Sequence, residues 1–279
     1  MTEIRIGELQ GLELDILKHF HDYCRENGIR YYLYAGTLLG AVRHRGFIPW
    51  DDDIDLCLPR PDYEKLWTLT RTRPVAPHLE LRSARVRDGY NAPFFKLVDT
   101  RTDGHEDYLR DEIRSGVWVD LFPMDGLPEN AEERAAHLAA LKKTQRTMEK
   151  VVRPYRLCAN PLRLAKRAAL WCVYAGRDYR ALANGQDALA RKYPYDLSGD
   201  MAVAVFDGWK RVFRRDWFSQ TVLLPFEQYE FCAPAEYDKV LKYLYGDYMT
   251  PPPPEQRVSH HGYTAWWVDE PKRDGTEEG

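Results

Sequence analysis

Residues 49–56 read Pro49-Trp50-Asp51-Asp52-Asp53-Ile54-Asp55-Leu56, four carboxylates within five positions running into apolar residues. An acidic tail would stay polar; this segment alternates through Ile54, Leu56 and Leu58. That period of two predicts a strand with one face buried. On such a strand Asp53 and Asp55 share a side, with Cα atoms roughly 6.5–7 Å apart. Carboxylates held that close repel each other unless a cation lies between them. Hard oxygen donors of this kind suit Mg²⁺ or Mn²⁺. A solvated acidic turn would explain the same residues, so the flanking sequence has to decide.

Upstream, Glu8 to Asn27 has the apolar spacing of an amphipathic helix, with Asn27-Gly28 as its stop. Arg30 to Ala35 predicts a short aromatic strand, and Gly36-Thr37 opens a second helix with Thr37 as its cap. Downstream, Pro61-Asp62 starts a helix to about Thr70, and short strands are expected near Leu79–Arg82, Phe94–Val98 and Gly116–Phe122. Asn130 caps a long helix to Val152; further helices are expected over Leu162–Ala175, Tyr179–Lys192 and Pro234–Tyr245. Strand-like pieces lie around Met201–Phe206 and Phe226–Phe231. These elements predict an α/β (α+β) fold: a core over residues 1–128, a more helical part over 129–268, and a charged, disordered tail over 269–279.

Bulk properties narrow the classes. The 279 residues have 44% hydrophobic and 13% aromatic content, which is that of a folded globular chain. A net charge of -3 favours neither a nucleic-acid nor a membrane partner. Cys24, Cys57, Cys158, Cys172 and Cys232 form no CxxC pair, so neither a zinc site nor a disulfide framework is expected. The N-terminus has no signal-peptide pattern, and a cytoplasmic setting fits best.

Strand, Gly-Thr, helix, loop and Asp-x-Asp strand is the order a phosphoryl-transfer site requires. N–H groups at a helix N-terminus can face phosphate oxygens, and the Asp pair can hold metals against them. A two-metal clamp needs a third carboxylate. Asp120 stands alone inside the apolar run Val117-Trp118-Val119-Asp120-Leu121-Phe122. A lone buried Asp is costly, and a salt-bridged core residue is the alternative.

These residues carry a resemblance. Gly36-Thr37, Asp53-Ile54-Asp55 and Val119-Asp120-Leu121 resemble the nucleotidyltransferase superfamily pattern. More specifically, the block from Tyr34 to Leu56 resembles the LicD family of phosphotransferases, related to fukutin. The likeness continues through Pro59-Arg60-Pro61-Asp62-Tyr63, Phe95-Lys96-Leu97, the run from Asp120 to Pro128, and Tyr245 to Pro252, and closes with Gln256-Arg257 and His260. It implies a nucleotidyltransferase-like mixed sheet with flanking helices. It also implies metal-dependent transfer of a phospho-alcohol, phosphocholine-type, from a CDP-linked donor such as CDP-choline to a hydroxyl of a cell-surface glycan, with CMP released.

On that reading Asp53, Asp55 and Asp120 are the catalytic carboxylates and metal ligands, with Asp51 as an extra ligand. Gly36 and Thr37 contact the diphosphate; Arg43, Arg45, Lys96, Arg257 and His260 are candidates for binding the substrate. Asp120 is a ligand or the base that takes the acceptor's proton. Between Lys142 and Arg180 eleven Lys/Arg face only Glu149 and Asp178. Such a patch suits a polyanionic glycan, or peripheral contact with the inner membrane face, although solvated helix faces explain it slightly better. Two other functions stay open: a nucleotidyltransferase that moves NMP from an NTP, and a non-catalytic glycan-binding module.

Overall fold

Leu9, Leu12, Ile16, Leu17 and Phe20 recur at helical spacing, and burying that stripe makes Ile6–Asn27 a helix, α1. It stops at Gly28, whose left-handed φ of 57° suits a residue without a Cβ. The computed structural model describes residues 2–86, 92–111, 113–154, 160–174, 176–206, 210–257 and 262–268. Within these follow β1 (Tyr32–Leu33), α2 (Ala35–Arg43), β2 (Asp55–Pro59), α3 (Arg60–Thr70), β3 (Leu79–Arg82), β4 (Phe95–Asp99), β5 (Thr102–Glu106) and β6 (Trp118–Gly126). Then come α4 (Ala131–Val152), α5 (Pro161–Tyr174), α6 (Tyr179–Ala190), β7 (Asp200–Ala202) and β8 (Phe213–Arg214). The chain closes with β9 (Thr221–Phe226), β10 (Tyr229–Pro234), α7 (Tyr237–Tyr245) and β11 (Tyr263–Trp267).

The fold is a mixed α/β arrangement, as the element order predicts. Its main sheet runs β1-β2-β6-β4-β3, and β6 also pairs β7, which pairs β8. Only the β2–β6 pairing in this sheet is parallel. Two parallel strands need a long crossover. Here α3, β3, β4 and β5 supply it, which brings two acidic segments 65 residues apart into adjacent strands (Asp55 and Asp120). The sheet centre is dry: Leu56, Leu58, Phe95, Leu97, Val119 and Leu121 are fully buried. Residues after 128 return to this half, since β7 pairs β6 and β11 pairs β5.

Three details differ from the sequence expectations. Thr37 lies inside α2, and the N-cap position belongs to Tyr34. The acidic strand begins at Asp55, so Asp53 sits in the segment leading into it. The pair β5 and β11 was not expected: β5 reads Thr-Asp-Gly-His-Glu, which lacks the apolar alternation of a strand. The 269–279 tail lies outside the described residues.

Arg60 ties three elements together. Its Nε and Nη2 donate to both oxygens of Asp125 on β6 (2.6 and 2.8 Å), and its Nη1 donates to Asp187 on α6 (2.9 Å) and Glu64 (3.1 Å). Arg85 donates to the same Glu64 and Asp187. Arg60, Asp125 and Asp187 are all buried.

Candidate active site

The strand register aligns the first three site residues. Asp55 on β2 is opposite Asp120 on β6, and Asp120 is opposite Lys96 on β4. Directly opposed residues point to the same face of a sheet. The row therefore presents two carboxylates and an ammonium side by side. Lys96 Nζ lies 3.7 Å from Asp120 Oδ1 and 3.6 Å from Glu106 Oε2, and 3.6 Å above the Trp118 ring. Burial leaves Lys96 with two carboxylate partners, the arrangement a desolvated ammonium requires.

This row forms part of the wall of a cavity of about 630 Å³, which is also lined by Gly36, Asp51, Asp52, Asp53 and Glu13. Two anchors shape its acidic corner. The Asp55 N–H donates to Thr37 Oγ1 (2.8 Å), so Thr37 is committed to β2 and is not on the cavity wall. Gly36 is on the wall, and a Cβ there would stand 2.7 Å from Asp51 Oδ2. The glycine lets the start of α2 pass directly against Asp51. Its neighbour Ala35 has φ 44°, a left-handed conformation rare for a residue with a Cβ. Such strain gathers at functional sites.

Crowding perturbs the carboxyls. Burial, then the charges of Asp120 and Asp52, push Asp53 up from 3.8 to about 7. Burial, with Asp53 and Asp120, holds Asp55 well above the carboxylate range. The same corner contains Glu13, a residue the sequence reading did not select. Glu13 is 3% exposed, and its Oε2 has no hydrogen-bond partner. Burial raises it well above the usual range, followed by the charges of Asp53, Asp52, Asp51 and Asp120. Taking a carboxylate out of water costs several kcal/mol. A bound divalent cation would offset this charge: Glu13, Asp51, Asp53, Asp55 and Asp120 line one cavity and offer only oxygen donors, the ligand chemistry that Mg²⁺ or Mn²⁺ prefers. That chemistry fits the metal expected from the sequence.

Glu13 had one sequence signal. It falls on the buried stripe of α1, between Leu9, Ile16 and Phe20, where an apolar residue is the rule. Glu106 had none, because β5 was unrecognised. Its Oε1 accepts from the Tyr108 hydroxyl at 2.6 Å, inside the cavity wall.

The remaining candidates lie off the wall. Arg43 Nη1 donates to the Tyr248 carbonyl (2.9 Å). Arg45 has a left-handed φ of 59°, and its carbonyl accepts from the Glu227 N–H. Arg257 is exposed; it donates to the Pro252 carbonyl and stands 5.6 Å from the ring of Trp50, which does line the cavity. His260 lies outside the described residues. Lys96 is the basic residue on the wall among the described residues.

Residues 28–156 match the family described as LicD/FKTN/FKRP, nucleotidyltransferase domain. They form a LicD-family domain. The matched span contains Gly36, Asp53, Asp55, Lys96 and Asp120, whereas Glu13 precedes it. The likeness to a LicD protein extends beyond the domain: lipopolysaccharide cholinephosphotransferase LicD of Haemophilus influenzae is 29% identical over 277 residues, 95% of this chain and 99% of that protein. Human ribitol 5-phosphate transferase FKRP is 62% identical over 29 residues, 10% of this chain and 6% of that protein. An uncharacterized Rickettsia typhi protein is 46% identical over 59 residues, 21% of this chain and 19% of its own length. Outside the LicD-family domain, α1, α6, α7 and β11 add Glu13, Tyr179, Tyr245 and Tyr263 to the cavity wall.

Two expected results follow from the acidic corner. A carboxyl raised from 3.8 to about 7 by folding makes the folded state bind more protons than the unfolded chain between those values. Stability is then fully present below the unfolded value and falls as pH rises towards the folded one. Calorimetry in EDTA should show the melting temperature dropping between about pH 4 and 7, with Asp53→Asn flattening the drop; at roughly 2–4 °C per kcal/mol the change is readily measured. A pH-independent melting temperature would contradict the like-charge crowding. Glu13→Gln removes a buried carboxylate but keeps its shape. It should raise the metal-free melting temperature by a few degrees, and weaken Mn²⁺ binding by about tenfold or more in titration calorimetry. Unchanged affinity would remove Glu13 from the metal's donor set.

Proposed function

We propose that this chain transfers a phospho-alcohol from a CDP-linked donor to a hydroxyl of a cell-surface glycan, releasing CMP. The observation that carries the reading is the Asp55–Asp120–Lys96 row facing one cavity with Asp53 and Glu13, in a chain whose H. influenzae relative is named a lipopolysaccharide cholinephosphotransferase.

The acceptor hydroxyl oxygen forms a bond to the β-phosphorus of the donor. The bond from that phosphorus to the bridging oxygen breaks, and CMP leaves with the electron pair. The hydroxyl proton passes to a carboxylate at the cavity corner, and Asp120 is the one with an ammonium 3.7 Å away to stabilise its charged form. Asp53, Asp55, Asp51 and Glu13 would hold Mg²⁺ or Mn²⁺, which supplies charge neutralisation for the diphosphate and the departing CMP. Gly36 leaves room at the start of α2, and Lys96 supplies a fixed positive charge.

The wall favours a cationic alcohol. Besides the acidic residues it carries Tyr108, Tyr179, Tyr245 and Tyr263, with Glu106 and Glu149. Aromatic faces beside carboxylates attract a quaternary ammonium, which supports CDP-choline as donor over a neutral polyol such as CDP-ribitol.

Incubation with Mn²⁺, an acceptor glycan and a panel of CDP-alcohols and NTPs tests the proposal, with CMP and pyrophosphate followed separately. CMP from CDP-choline is the expected result. Pyrophosphate from an NTP would replace the proposal with nucleotidyl transfer.

A further inference from the structure

Helix α5 is unlike the other helices. It has fourteen residues, Pro161 to Tyr174, and none of them is buried. Leu162 is 82% exposed, Val173 57% and Leu170 40%. Leu162, Ala165, Ala169 and Val173 recur at spacings of three, four and four, which places them in one stripe on a helix. All four are exposed, whereas Leu164 and Ala168, on the opposite side, are half-buried. The helix packs against α4 by one side and turns an apolar stripe outward. A soluble helix normally has the reverse polarity.

The charge beside the stripe identifies what it meets. Lys166 and Arg163 are exposed and flank it on one side. Between Glu149 and Asp178 the sequence has seven basic residues, Lys150, Arg153, Arg156, Arg163, Lys166, Arg167 and Arg177, and no acidic one. The rest of the chain is acidic by comparison, since the net charge of the whole is -3. An apolar stripe edged by Lys and Arg is the pattern of a helix lying in the headgroup layer of an anionic bilayer. Basic residues near such a surface are attracted by its negative potential. Among the described residues no helix is long and apolar enough to cross a membrane, so the contact would be peripheral.

We propose that α5 docks this protein on an anionic lipid surface, with Leu162, Ala165, Ala169 and Val173 entering the headgroup layer and Arg163 and Lys166 against the phosphates. The helix that α5 packs on, α4, lines the cavity with Gln145, Met148, Glu149 and Val152. Docking therefore holds the cavity close to the bilayer, where an acceptor carried on a lipid would be presented. The docking itself does not rest on the phosphotransfer reading.

Vesicle flotation of the full chain tests it. The probes are phosphatidylglycerol–phosphatidylcholine vesicles and pure phosphatidylcholine vesicles at low salt. The protein should float with the anionic vesicles, at least about tenfold more than with the neutral ones, and be released by high salt. The double variant L162E/V173E should lose flotation about tenfold while its circular dichroism and its CMP release with a soluble acceptor stay at wild-type level. No flotation of the wild type, or equal flotation of the variant, would overturn the proposal. So would sedimentation showing a lipid-free dimer that L162E/V173E dissolves, because the stripe would then be covered by a second copy.

Discussion

Asp120→Asn and Asp53→Asn are expected to fold and to lose about 10³-fold or more of turnover, the scale seen when a group that stabilises developing charge is removed. Each change is nearly isosteric, so the packing of Val119, Leu121 and Ile54 around them survives. What changes is charge. Asp120 is opposite both Asp55 and Lys96, so an amide there leaves the Lys96 ammonium with Glu106 as its remaining close carboxylate. Burial raises the proton affinity of Asp53 most, and the charges of Asp120 and Asp52 raise it further, which marks it as a member of the same electrostatic unit. Residues that act as a unit are not additive. The double variant should therefore lose little more than either single one. Rates from CMP release, with melting curves to confirm folding, check this. Near-normal turnover in either single variant would remove that residue from the catalytic set.

Arg60→Ala is expected to have the largest effect on stability, a loss of about 3–5 kcal/mol, because it strands buried carboxylates with no partner. Asp125 is held by two hydrogen bonds from Arg60 and is 1% exposed; Asp187 is 3% exposed and keeps Arg85 and Arg191. Asp125 therefore carries most of the cost. Replacing Arg60 and Asp125 together by apolar residues of similar volume should recover much of it, since a buried ion pair is close to break-even against a packed apolar one. Denaturant unfolding of the single and double variants separates the two effects. A loss under 1 kcal/mol for Arg60→Ala would show that water reaches Asp125.

Legibility followed burial. The acidic strand could be read because Ile54, Leu56 and Leu58 impose a period of two beside the carboxylates, and Asp120 because it interrupts an apolar run. Lys96 showed for the same reason, set between Phe95 and Leu97. Thr37 was misassigned as a cap because Gly-Thr suggests a helix start, whereas its hydroxyl is engaged by the Asp55 N–H across 18 residues. Glu106 stayed hidden because β5 is stabilised by pairing with β11 from the far end of the chain, a contact that leaves no local pattern. Glu13 was legible in principle. A glutamate on the buried stripe of an amphipathic helix breaks the rule that charges stay at the surface, and such violations mark functional positions. The arginines chosen from the motif block, Arg43 and Arg45, stand off the cavity wall in loop and helix-end contacts, a placement that sequence spacing does not reveal.

The most direct test of the central claim follows the β-phosphorus. CDP-choline radiolabelled at that atom would be incubated with Mn²⁺ and a glycan acceptor, and the label counted on the acceptor and in the nucleotide fraction. The account predicts label on the acceptor in equal amount to the CMP formed, with the signal lost in Asp120→Asn. Label retained on a nucleotide while the wild-type protein turns over would contradict it.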